Sequence, residues 1–238
     1  MTGMYRALDP AKLIDTLTRL QARIDERFPG SGLGKVCAEL ADAARASGVE
    51  AARLARPSWA WRAAVLALVL LGVAAQVAAA KFLHLERLEA SANLVEILEA
   101  AVNLLLLFGG AVWFLLTVEK RRKRGRALDA LHGLRALAHV VDMHQLSKDP
   151  TIVLHEHKRT ATSPTRAMSR FELTRYLDYC AEMLALIGKL AALYADEMRD
   201  AVVIDAVNEL EGLTTNLARK MWQKIMIIGA VGEAGPGA

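Results

Sequence analysis

Two kinds of hydrophobic pattern alternate along this chain, and they predict two kinds of helix. Leu13, Leu17, Leu20 and Ile24 recur at 4-3-4 spacing, which on a 3.6-residue helix makes one apolar stripe with polar flanks. Asp9-Pro10 supplies an N-cap and a first-turn proline, and Pro29-Gly30 ends the segment. A second amphipathic helix is predicted from Ser31 or Leu33, with Val36, Cys37 and Leu40 on one face, weakening towards Ser47-Gly48.

From Ala63 to Ala80 and from Ala100 to Val118 the stripe gives way to side chains that are apolar all round. These runs hold 18 and 19 residues without a charge. A hydrocarbon core of about 30 Å takes roughly 20 apolar residues of helix. Each run therefore predicts one membrane crossing, the spans covering about 59–80 and 98–118, with Trp59 and Trp61 where an interfacial belt wants aromatic rings. The competing reading is a pair of helices buried in a protein core, which seldom run so far without a charged edge.

Stripes return after the second run. A capping box, Ser169-x-x-Glu172, opens a helix in which Leu173, Leu177, Cys180, Leu184, Ile187, Ala191, Tyr194 and Met198 keep a 4-3 repeat. A parallel line of Tyr176, Met183, Leu186, Leu190 and Leu193 widens that face beyond what one partner helix can cover. The charged patch Asp196–Asp200 predicts a turn. Val203, Val207, Leu210, Thr214, Leu217 and Met221 then repeat the spacing, and Trp222, Ile225, Ile227 and Ile228 form an apolar patch assigned to core packing. Short, β-rich Thr151–Leu154 follows the break at Asp149-Pro150. The fold class expected is all-α, a two-helix transmembrane hairpin with a cytosolic helical bundle or coiled-coil-like domain. Its parts are amphipathic helices over 1–56, the hairpin over 57–118, the helical domain over 119–228 and a flexible tail over 229–238.

Charge orients the hairpin. Glu119–Arg126 (EKRRKRGR) holds six basic residues against one acid, whereas the connection between the spans has Lys81 and Arg87 against Glu86, Glu89, Glu96 and Glu99. The positive-inside bias puts both termini in the cytoplasm, which in a bacterium means an inner-membrane protein. Met1–Arg56 is polar and amphipathic, unlike a signal peptide. The net charge of +4 hides a gradient: residues 119–170 carry 12 basic and 5 acidic side chains, residues 171–228 carry 6 and 9. Lys120, Arg121, Arg122, Lys123, Arg124 and Arg126 are thus expected against lipid head groups, and no nucleic acid is expected. The cysteines, Cys37 and Cys180, fall on the cytoplasmic side, where thiols stay reduced.

Within the spans the small and polar residues are the candidates for function. Gly72, Gly109 and Gly110 allow close backbone approach, and Gln76 and Asn103 share a depth near the outer surface where amides can bond between helices. Neither span holds an ionisable residue, which argues against a proton pump or voltage sensor. From Asn93 to Leu146 no proline interrupts, so one helix is expected to leave the membrane and continue into the cytoplasm. Its far half carries His132, Arg135, His139 and Asp142 as a polar stripe. His139 and Asp142, with His155 and His157, form a candidate ligand or divalent-metal set, imidazole and carboxylate suiting Zn²⁺ or Fe²⁺. No cofactor is otherwise expected. Residues 158–170 read as a Ser/Thr-rich basic loop.

Arg126-x5-His132 resembles the Arg-x4–6-His pattern of HEPN ribonucleases over seven residues, and the resemblance implies a catalytic arginine and histidine there. No phosphate loop, nucleophile elbow or Cys-x-x-Cys pair is present. The expectation is a non-enzymatic, homo-oligomeric two-pass membrane protein whose cytosolic domain binds a partner or ligand and couples it to the hairpin. The alternatives are a pore-forming channel or effector, and a membrane-tethered ribonuclease or metalloenzyme.

Overall fold

The computed structural model describes residues 8–56, 58–84, 94–146, 148 and 168–233. Six helices follow in chain order: α1 (Pro10–Arg27), α2 (Gly32–Ala55), α3 (Trp59–His84), α4 (Leu94–Leu146), α5 (Arg170–Met198) and α6 (Ala201–Glu233). No strand occurs among the described residues. The β-rich segment Thr151–Leu154 and the basic loop over 158–167 lie outside them.

Local chemistry sets the helix ends. The Ala11 N–H donates to Asp9 Oδ1 at 2.9 Å, Pro10 opens α1, and Gly30 turns the chain at φ 71°. Ser31 caps α2 by accepting from the Gly34 N–H at 3.1 Å. Both bonds of the capping box at Ser169 and Glu172 form. The charged patch is a turn: Arg199 closes α5 at φ 47°, and Asp200 Oδ1 accepts from the Val202 N–H to start α6. Two extensions exceed the sequence reading. Helix α2 continues through Gly48 to Ala55, because Ala51 and Leu54 are buried beyond the glycine. Helix α6 runs to Glu233, so the flexible tail expected over 229–238 is helical at its start. A glycine costs a helix only about 1 kcal/mol relative to alanine, and buried Ile228 holds the turn before it.

The chain divides into two compact units, Arg56–Gly125 and the remainder, Met1–Ala55 with Arg126–Ala238. The larger unit is a helical bundle centred on α5. Both apolar lines of that helix are buried except at half-buried Met198, Leu184 and Ile187 completely, and α5 packs against α6, α2 and α1. Leu13, Leu17, Leu20 and Ile24 enter the same core, joined from α4 by Ala127, Leu131, Leu134, Ala138 and Val141. The patch at the end of α6 splits. Ile228 is buried and Ile225 half-buried, but Trp222 and Ile227 are exposed, as is Met226 beside them, since one helix cannot turn all five towards the same neighbours.

The smaller unit inverts this arrangement. Leu66, Leu70, Leu71, Leu105, Leu106, Leu107, Trp113 and Phe114 are all exposed, and Val65 is buried. Residues Gly32–Ala78 contain the one stretch, among the described residues, that is helical, long and apolar enough to cross a membrane, and 6% of that window is buried.

Candidate functional site

In the smaller unit α3 and α4 run antiparallel, and contacts step along them in opposite directions. The Ser58 N–H donates to Glu119 Oε1 at 3.1 Å, Trp61 Nε1 donates to the Leu115 carbonyl at 3.1 Å, and Gly72 lies against the Phe108 ring. A Cβ on Gly72 would collide with that ring, so this glycine is where α3 admits its neighbour. Among the described residues Gly109 and Gly110 do not serve this purpose, for a Cβ on either meets nothing within 4 Å. Gln76 is half-buried and Asn103 is exposed.

One end of this unit is held by Glu119, whose side chain is 11% exposed. Besides the Ser58 N–H it meets Lys123 Nζ at 3.1 Å and Arg62 Nε at 3.6 Å, while Lys123 also donates to the Arg56 carbonyl at 2.7 Å. Burial raises the Glu119 carboxyl, but the hydrogen bonds from Ser58 and Lys123 outweigh it and hold the group below the ordinary glutamate range. Of the basic cluster, Lys120, Arg121 and Arg122 are exposed and Lys123 and Arg124 half-buried. Arg126, exposed, lies 4.0 Å from Glu50 in the bundle unit. Glu119 escaped the sequence reading, although a single acid at the head of EKRRKRGR was the available signal.

In the bundle, the far half of α4 places its polar stripe on the outside. His132 and His139 are exposed, Arg135 pairs with Glu209 of α6 at 2.8 Å, and Asp142 is half-buried. Asp142 Oδ1 accepts from Gln145 Nε2 at 2.8 Å rather than meeting His139. Gln145 itself, 2% exposed, takes the Lys224 ammonium on its side-chain oxygen and, at 3.3 Å, on its carbonyl. This Asp142–Gln145–Lys224 chain was not foreseen. Gln145 continues the buried line of Leu134, Ala138 and Val141, and a glutamine there needed internal partners. Among the described residues no group of three or more His, Cys, Asp or Glu side chains is arranged to hold a metal ion. His155 and His157 lie outside those residues. Arg126 and His132 stand six residues apart on one helix, which turns them about 120° away from each other.

Two openings flank the bundle. A groove of about 600 Å³ between α5 and α6 is lined by Gly188, Lys189, Thr214, Thr215, Arg219 and exposed Trp222. A smaller one, about 360 Å³, lies among Ser31, Gly32, His144, Lys148 and Tyr176. Lys148 Nζ stands 5.0 Å from the centre of the Tyr176 ring, a cation–π contact. Burial raises the Tyr176 hydroxyl. Both cysteines are free and buried, and burial pushes the Cys37 and Cys180 thiols up to about 12, so neither is a nucleophile near neutral pH. The described residues therefore present an apolar outward face with an exposed amide at Asn103, a charged clamp at its end, and mixed grooves on a helical bundle. No protein-family model, no curated protein and no solved structure matches the chain.

Proposed function

We propose that this chain is a homo-oligomeric, two-pass membrane protein without enzymatic activity of its own. Helix α3 and the first part of α4 form the membrane hairpin, both termini are cytoplasmic, and the bundle binds a cytosolic partner or ligand whose state α4 passes to the hairpin. One observation carries this reading. Helix α4 is uninterrupted from Leu94 to Leu146, with exposed Leu105–Leu107 in one unit and buried Leu131, Leu134 and Val141 in the other. The partner surface in this reading is the α5–α6 groove with Trp222, Met226 and Ile227 beside it. The exposed basic residues Lys120, Arg121 and Arg122 suit anionic head groups at about 1 kcal/mol each.

A pore-forming channel or effector is the second reading, favoured by the exposure of Asn103. Topology tests the first. A cysteine replacing Ala90 should react with an impermeant thiol reagent added outside intact cells, and one replacing Ala161 should react only after permeabilisation. Labelling in the reverse order overturns the orientation, and equal labelling of both overturns the hairpin.

A further inference from the structure

The outward face of α4 has a regularity that the hairpin itself does not use. Asn103, Gly110 and Thr117 are seven residues apart, so at about 100° per residue they form one line, roughly opposite the Phe108 ring that meets α3. Asn103 and Gly110 are exposed, Leu106 and Trp113 beside them are 67% and 70% exposed, and Gly110 has open space where a Cβ would be. Thr117 satisfies its hydroxyl on the Trp113 carbonyl at 2.8 Å. Asn103 has no such local bond.

We infer that this line is the surface on which a second copy of the same chain docks, α4 against α4 and parallel, an inference that rests on the membrane reading above. The occupant follows from the amide. An asparagine side chain carries both donor and acceptor, and in lipid it is costly to leave either unmade. Copies inserted with one topology bring Asn103 of each to the same depth, where the two amides bond reciprocally. An unrelated apolar helix or lipid offers no such group. Gly110, two turns inward, lets the backbones approach there, and the seven-residue interval keeps the contact on one side of a pair of supercoiled helices. Glu99 lies near the same line towards the water boundary, where salt screens its repulsion from its copy. The outward face of α3 is the rival surface. Ala63, Ala67 and Ala74 make it small-sided, but within the uncharged run it carries no polar group, and its next polar residue is Lys81 at the outer end.

The test uses the full chain in membranes. Leu106→Cys lies on the proposed line, and Leu70→Cys lies at a similar level on the outward face of α3. After carbonate washing and copper–phenanthroline oxidation, Leu106→Cys should give a band at twice the 25.9 kDa chain mass, with Leu70→Cys and the parent chain remaining single. In nanodiscs, native mass spectrometry should show Gly110→Leu and Asn103→Leu reduced to one copy, with Asn103→Gln keeping the parent mass. Gly110→Leu is expected to leave the hairpin intact, since among the described residues nothing lies within 4 Å of a Cβ at that position. Equal or stronger coupling through Leu70→Cys, a single-copy parent chain, or a parent-sized oligomer in Gly110→Leu overturns the interface while the membrane reading stands. A parent chain released by carbonate removes the membrane reading and the interface with it.

Discussion

Leu184 and Leu106 are the same residue type at the middle of long helices, yet one is wholly buried and the other 67% exposed. The difference lies in their neighbours along the sequence. Around Leu184 the apolar residues keep two adjacent lines and leave charged positions such as Glu182 and Lys189 outside, so α5 has a face to bury and a face to wet. Around Leu106 no charged residue intervenes on any side, and α3 meets the line through Phe108. Hydrophobicity alone thus does not say where a helix goes. Its angular distribution does, because a stripe can be satisfied by protein, whereas a fully apolar surface needs an apolar solvent.

The largest expected effect breaks or sustains this contrast directly. Leu184→Ala should destabilise the bundle by about 2–5 kcal/mol, whereas Leu70→Ala, on the outward face of α3, should cost less than about 1 kcal/mol, since no cavity forms there. Thermal unfolding of the full chain in detergent measures both, and equal losses would mean that the two units bury their leucines alike.

A middle-sized effect separates the glycines. Gly72→Leu forces the Phe108 ring aside and should cost about 1–3 kcal/mol, while Gly109→Leu should not weaken the α3–α4 contact. The same unfolding assay decides, and a harmless Gly72→Leu would show that the two helices do not pack there.

The smallest effect is electrostatic. Because Glu119 is held below its ordinary value in the folded chain, its contribution to holding α3 on α4 is present above the ordinary glutamate range and is lost as pH falls through the lowered folded value. Amide exchange over residues 58–66, corrected for its intrinsic pH dependence, should accelerate across that acid window. Glu119→Gln should exchange faster above the window and show no such step. A step of equal size in Glu119→Gln would assign the transition to another carboxylate.

Much of the architecture was legible along the chain. Heptad lines in α5 and α6, the stripe of α1, the caps at Asp9 and Ser169 and the turn at Arg199–Asp200 are local patterns, and local hydrogen bonds and helical periodicity suffice to read them. The uncharged runs were likewise legible as helices, and many of their large apolar side chains are exposed. Tertiary structure decided the rest. That Gly72 rather than Gly109 or Gly110 receives the neighbouring helix depends on the register between α3 and α4, which no spacing within either helix encodes. That Gln145 meets Lys224, seventy-nine residues away, depends on the turn at Arg199 bringing α6 back along the bundle. Glu119, one acid among six bases, became a clamp because the start of α3 presents the Ser58 N–H to it. The period of the side chains specifies which face of a helix is apolar. Which partner meets that face, and at what height, is a sum over distant contacts that exists only once the chain has folded.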